Sequence, residues 1–194
     1  MSIQSHDHPA LTADVVLFAL DESQLRLLLI QRGKPPFEGA WAFPGGFVDV
    51  GEAPQDAASR ELEEETGIRG IQLEQLRAFG DPGRDPRGHV VTIAYVAVVT
   101  ERTLRRAEAS SDAELARWWS IDALPPLAFD HAEILISGLE RIRCGLRDAL
   151  IDRHANPIWP DELSLGDLRA VRNAIVKALE RLGNEATPAQ KGHQ

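Results

Sequence analysis

The chain has 194 residues, 43% of them hydrophobic and 26% charged, which suits one domain of ordinary size and excludes two large ones. Thirty acids against 21 lysines and arginines give a formal net charge of −9, which argues against a general nucleic-acid binder, because such proteins carry a basic face. No apolar run approaches the roughly 20 residues that cross a bilayer, and one cysteine, Cys144, excludes an internal disulfide; we expect a cytoplasmic protein with no membrane partner, in which Cys144 packs within a helix.

Met1–Ala10 lacks apolar periodicity and reads as a tail, and its His6 and His8 lack a third metal ligand nearby. Ala13–Leu20 and Leu25–Gln31, rich in Val, Leu and Ile, flank a short polar turn and predict a β-hairpin. Lys34–Gly39 is a loop by composition, followed by a short strand at Trp41-Ala42-Phe43 that ends in Pro44-Gly45-Gly46. A helix is predicted from Pro54 to Thr66, with proline in its first turn and Gly67 as its stop. Ile71–Phe79 and Val90–Thr100 read as strands separated by the glycine- and proline-rich loop Gly80–Gly88, and Trp118, Trp119 and Ile121 mark a further short strand. From Phe129 the period changes: Leu135, Leu139, Ile142, Leu146 and Leu150 share one helical face. Ser164 and Asp167 resemble a capping pair for a second amphipathic helix carrying Leu168, Val171, Ile175, Leu179 and Leu182. We divide the chain into a tail at 1–10, a main domain at 11–127, a helical extension at 128–183 and a disordered end at 184–194.

Within the predicted helix, Glu61, Glu64 and Glu65 fall inside an arc of about 100°, so three carboxylates converge on one side. Like charges at that spacing repel by a few tenths of a kcal/mol per pair, so helix stability does not favour the arrangement. A divalent cation, Mg²⁺ or Mn²⁺, reverses the sign of that interaction and would bridge the carboxylates to phosphate oxygens. Arg60 can orient Glu64 or Glu52, and Gly45 and Gly46 allow close backbone approach with a carbonyl as a further ligand. Glu52 precedes the helix, where a carboxylate also suits the positive end of the dipole.

Gly46, five residues, Glu52, seven residues, then Arg60-Glu61-Leu62-Glu63-Glu64-Glu65-Thr66-Gly67-Ile68 resembles the Nudix box at every specified position. The resemblance implies the Nudix α/β/α sandwich, an α/β fold with a mixed sheet and here additional C-terminal helices. It implies metal-dependent hydrolysis of a nucleoside diphosphate linked to another moiety. It makes Glu61, Glu64 and Glu65 the metal-binding and water-activating acids, Gly45 a carbonyl ligand and Arg60 an orienting residue; Glu52 completes the catalytic set. Phe37–Gly46, Phe79–Gly88, Val91–Tyr95 and Leu127–His131 are similar to the ADP-ribose pyrophosphatase branch, a likeness that covers roughly Leu11–Leu150. Members of the family commonly dimerise, and the apolar face of the helix from Phe129 is a candidate surface for that.

For the substrate, Arg84 and Arg87 are candidates to meet the distal phosphate or ribose, because guanidinium recognises paired oxygens. Trp41, Phe43, Phe47 and Tyr95 are candidates to stack on the base, and each is also a candidate for the core. Asp112 and Glu114 lie in an acidic loop that is either simply exposed or supplies a base or metal contact, and His131, at a helix start, is a candidate to contact substrate or to cap the helix, the structural role being favoured. The favoured function is hydrolysis of ADP-ribose to AMP and ribose 5-phosphate. Oxidised nucleotides, NADH and dinucleoside polyphosphates are the other candidate substrates. A second class is a Nudix-related regulator that senses ADP-ribose and reads DNA through a C-terminal winged helix, whose opening Leu163–Leu168 resembles. The box is whole and only Lys177 and Lys191 supply lysines there, which favours the enzyme.

Overall fold

In a computed structural model that describes residues 8–21, 24–100, 116–151, 158–160 and 163–185, the described strands form one seven-stranded mixed sheet. Strands β1 (Ala10–Asp21) and β2 (Gln24–Gln31) make the expected antiparallel hairpin, with Phe18 opposite Leu27. Strand β6 (Val90–Thr100) runs parallel to β1 along its whole length, from Ala10 opposite Val90 to Leu20 opposite Thr100, and β5 (Glu74–Phe79) lies antiparallel outside it. Because β6 fills one edge of β1, the other edge is shared. Its far half pairs with β2, and its near half, Thr12 to Asp14, pairs with the short strand β4 (Gly45–Phe47). Likewise Ile30 of β2 pairs with Ala116 of β7 (Ala116–Ser120) and with Ala42 of β3 (Trp41–Ala42), one on each edge. The hairpin therefore splays at one end, and Trp41–Phe47 fills the wedge.

Residue alternation along β1 separates two cores. Val16, Phe18 and Leu20 face helices α2 (His131–Ile151) and α3 (Leu165–Glu185), whereas Ala13, Val15, Leu17 and Ala19 face helix α1 (Pro54–Thr66) through Ala57, Ala58 and Leu62. The result is an α/β/α sandwich. Leu135, Leu139, Ile142 and Leu146 of α2 are all buried against the sheet and α3, so the face considered for a dimer is covered within one subunit. Cys144 is exposed instead of packed, because it lies two residues, about 200° of helical rotation, from the inward Ile142 and Leu146.

Ser164 and Asp167 cap α3 reciprocally: the Asp167 amide donates to Ser164 Oγ at 3.1 Å, and the Ser164 amide donates to Asp167 Oδ2 at 2.8 Å. Helix α3 continues to Glu185, past Gly183, since a glycine inside a helix costs only about 1 kcal/mol where packing on its flanks continues. Strand β4 is a difference from the sequence reading, which leaves Gly45-Gly46 at the end of a strand; with no side-chain periodicity of their own, the glycines are recruited by the open edge of β1. Strand β5 begins at Glu74 and not Ile71, after Gly70 in a left-handed conformation at φ 71°. His6, Asp112 and Glu114 lie outside the described residues, and no described helix is long and apolar enough to cross a membrane.

Candidate active site

The splayed end of the hairpin opens into a cleft of about 760 Å³ between α1, β4 and the loop joining β5 to β6. Helix α1 is started by Pro54 and stopped by Gly67, whose φ of 70° only glycine adopts readily and whose amide donates to Glu63 O at 2.8 Å. Burial of Ala57, Ala58 and Leu62 on the sheet fixes the rotation of the helix and turns Glu61, Glu64 and Glu65 to the cleft. Gly46 makes room for Glu61, and Gly45 allows the close approach of β4 to β1. A Cβ on Gly46 would lie 2.2 Å from Glu61 Oε1, and one on Gly45 would lie 2.4 Å from Ala13 O and 2.5 Å from Asp14 Oδ1.

Arg60 gathers the acids. Its Nε and Nη2 donate to the two Glu52 oxygens at 2.9 and 3.1 Å, its Nη1 to Glu61 Oε1 at 2.8 Å and to Glu64 Oε2 at 3.4 Å, and its Nη2 to Phe47 O at 3.1 Å. Glu52 thus does not cap α1; it accepts from Arg60 and from the Asp49 amide, and the Arg60 hydrogen bond holds its carboxyl below the usual range. The same hydrogen bonds, to Glu52 first and then Glu61, raise the Arg60 guanidinium. Glu65 is different. Burial pushes its carboxyl up to about 7, helped by Glu61 and Asp14, against the opposing 2.9 Å hydrogen bond from the Gly45 amide.

Across the cleft, Arg84 closes on Asp130 through two hydrogen bonds of 2.7 and 2.6 Å, with its side chain only 5% exposed. Burial lowers the Arg84 guanidinium, and its hydrogen bonds to Asp130 together with the nearby carboxylate charges more than offset this. Arg87 closes on the buried Asp85, which its hydrogen bonds hold below the usual carboxylate range, and lies over the Phe47 ring at 5.2 Å and the Phe129 ring at 5.8 Å. Arg32 covers Phe129 at 4.7 Å and donates to the carbonyls of Pro36 and Lys34. His131 lines the back of the cleft and is 3% exposed; burial lowers its imidazole, and Nδ1 accepts the Phe43 amide at 3.1 Å.

The cleft brings together Gly45, Glu61, Glu64, Glu65, Arg60, Phe47, Arg84 and Arg87, with Glu52 directly behind Arg60. It does not include Trp41 or Tyr95. Trp41 packs edge-on against Trp119 at 5.1 Å beside the α2 core, and Tyr95 is buried in the α1-side core, where desolvation raises its hydroxyl. Their bulk in strands with buried neighbours makes them core residues. Phe43, by contrast, lines the cleft although it is 1% exposed, stacked on His131 at 4.8 Å. Sequence reasoning missed Asp14, Arg32, Asp85, Phe129 and Asp130, all of which line the cleft or hold a lining residue. For Asp14 a signal existed: a carboxylate inside a run of buried strand residues.

Among the described residues, no group of three or more His, Cys, Asp or Glu stands ready to hold an ion, with the Glu61 carboxylate turned to Arg60 and that of Glu65 to Gly45. The donor set itself fits a hard divalent cation: carboxylate and carbonyl oxygens on one wall, with Glu65 raised partly by neighbouring carboxylates whose repulsion a cation removes.

In the wedge of the mixed sheet between the helices, the acidic wall thus faces two arginines that are each closed on an aspartate. A family model for the NUDIX domain matches residues 9–137, and the chain belongs to that family, in which dependence on a divalent metal is general. It is similar to an ADP-ribose pyrophosphatase of Methanocaldococcus jannaschii, 40% identical over 128 residues that cover 66% of this chain and 72% of that one. It is also similar to an ADPR responsive transcriptional repressor, NtrR, of Acinetobacter baylyi, 38% identical over 148 residues that cover 72% of this chain and 57% of the repressor. Among solved structures, the NUDIX domain of Shewanella oneidensis NrtR complexed with ADP ribose matches with a TM-score of 0.63 and 32% identity, over 73% of this chain and 94% of that one.

Proposed function

We propose that the protein is a cytoplasmic, divalent-metal-dependent ADP-ribose pyrophosphatase that uses Mg²⁺, with Mn²⁺ able to replace it. The observation that carries this reading is the meeting of Glu61, Glu64, Glu65 and Gly45 in one cleft with Arg60, Arg87 and Phe47. The 40% identity to a named ADP-ribose pyrophosphatase supports the choice of substrate.

Glu61, Glu64, Glu65 and the Gly45 carbonyl would hold the cation, which when bound supplies charge neutralisation on the phosphate oxygens and a more acidic water. Arg60 keeps Glu61 and Glu64 on one side of α1, and Glu52 fixes Arg60. Glu65 is held against β4 by the Gly45 amide, which fixes its carboxylate beside Glu61. Arg87 and Phe47 line the way to the substrate's outer groups, while Arg84 positions the loop through Asp130. Water attacks one phosphorus, the bridging P–O bond breaks, and AMP and ribose 5-phosphate leave.

A second reading, an ADP-ribose sensor that regulates transcription, is favoured by the match to the repressor over 148 residues. Against it, Leu168, Val171, Ile175, Ala178 and Leu182 bury the apolar face of α3 in the main core, and Arg181 of α3 donates to Ile121 O at 2.7 Å. Incubating the protein with ADP-ribose and Mg²⁺, alongside NADH, an oxidised nucleotide and a dinucleoside polyphosphate, tests the assignment. We expect AMP and ribose 5-phosphate at a higher kcat/KM than products from the others; specific retention of promoter DNA with no hydrolysis would select the regulator.

A further inference from the structure

Asp14 is the cleft's unexplained charge. It is 8% exposed, on the β1 face whose next members are Val16 and Phe18, and burying an ionised carboxylate there is costly unless donors compensate. One donor is present: Thr92 Oγ1, itself fully buried on β6, donates to Asp14 Oδ2 at 2.6 Å. Among the described residues no lysine or arginine pairs with Asp14 at salt-bridge distance, although Arg32, Arg84 and Arg87 act on it through space. The guanidinium groups around the cleft are committed elsewhere, Arg84 to Asp130, Arg87 to Asp85, Arg60 to Glu52 and Glu61, and Arg32 to two carbonyls. The nearby Gly45 amide is given to Glu65. Among the described residues the one hydrogen bond to the Asp14 carboxylate goes to Oδ2, while Oδ1 lies on the Gly45 side and Asp14 lines the cleft.

We infer that Asp14 accepts a hydrogen bond from a sugar hydroxyl of the substrate and thereby selects nucleoside diphosphates linked to an intact ribose. An acceptor-only group that lines the cleft with one oxygen unengaged calls for a ligand donor, and hydroxyls are the donors a diphosphate sugar carries. The placement fits. Gly45 stands between Asp14 and Glu65, a Cβ on it falling 2.5 Å from Asp14 Oδ1 while its nitrogen lies 2.9 Å from Glu65 Oε2. The hydroxyl site is therefore one residue from the wall proposed to hold the diphosphate, and the sugar is the group attached next to a diphosphate. The phosphate end cannot substitute, since a phosphate oxygen at Asp14 would oppose two acceptors. Thr92 is the positioning residue, fixing the carboxylate from the neighbouring strand.

This inference rests on the ADP-ribose reading, and one experiment separates their failures. Wild type, Asp14→Asn and Thr92→Val are assayed with Mg²⁺ on ADP-ribose and on two analogues, each lacking the 2-hydroxyl of one of its two sugars. Asp14→Asn removes a buried charge at constant shape, so folding is retained, and a thermal melt checks this. In wild type at least one analogue loses on the order of 10- to 100-fold in kcat/KM, the range of one charge-assisted hydrogen bond. Asp14→Asn shrinks that discrimination to within about threefold, with the loss on ADP-ribose mainly in KM, and Thr92→Val gives a smaller shift of the same kind. Discrimination retained in Asp14→Asn, or a change confined to the Mg²⁺ concentration needed for half-maximal rate, overturns the inference and leaves the pyrophosphatase reading standing. A wild type that releases no AMP from ADP-ribose overturns both.

Discussion

The two walls of the cleft use arginine and carboxylate in opposite ways. On the α1 wall one guanidinium, that of Arg60, is spread over Glu52, Glu61, Glu64 and the Phe47 carbonyl, at distances from 2.8 to 3.4 Å. On the loop between β5 and β6, each guanidinium is closed on one aspartate, Arg84 on Asp130 and Arg87 on Asp85. Sharing one cation among three glutamates leaves lone pairs unspent, which is what a metal-binding wall requires. Closed pairs spend theirs, and what they contribute is loop position. The wall with unsatisfied chemistry is where activity is to be sought, and the wall with satisfied chemistry is where stability is.

That contrast predicts separable effects, and the largest belongs to Glu65. Glu65→Gln should lower kcat at saturating Mg²⁺ on the order of 10³-fold or more while leaving the unfolding midpoint unchanged or higher, since a buried carboxylate becomes neutral. Asp130→Asn should do the reverse: removing one partner of an ion pair that is 5% and 18% exposed should cost about 3 kcal/mol in urea unfolding, with less than about tenfold change in kcat/KM. If the activity falls as far as in Glu65→Gln, the loop wall is not merely positional. Gly46→Ala forces the Glu61 carboxylate away from a contact of 2.2 Å and should reduce kcat about 100-fold with little loss of fold, as circular dichroism would check.

The smallest effect is in pH dependence. Burial depresses the folded-state pKa of His131, so the unfolded chain takes up a proton first as the pH falls below about 6.5. Stability is therefore fully present above that pH and is lost as the pH drops toward the folded value. Unfolding of wild type and His131→Asn between pH 5 and 8 should show a steeper acid loss in wild type, and parallel curves would remove His131 from the balance.

The sequence exposes the α1 wall because its ligands sit within one helix, where a fixed rotation per residue converts spacing into direction and Gly67 marks the end. On the loop wall the sequence offers Arg84 and Arg87 but hides the distant partners, which meet only in the fold: Arg84 and Asp130 are 46 positions apart, and Phe43 and His131 are 88. Trp41, Phe43 and Tyr95 illustrate the same limit, since an aromatic side chain in a strand is equally suited to a core or to a base, and only the sheet decides. Asp14 and β4 became visible once pairing showed which edge of β1 was open.

The central claim, that the α1 wall is a working metal-dependent site for ADP-ribose, is tested most directly by product analysis. ADP-ribose with Mg²⁺ should yield AMP and ribose 5-phosphate in equal amounts, a reaction stopped by a chelator and restored by added Mg²⁺. Binding of ADP-ribose without either product, at any concentration of Mg²⁺ or Mn²⁺, would contradict it.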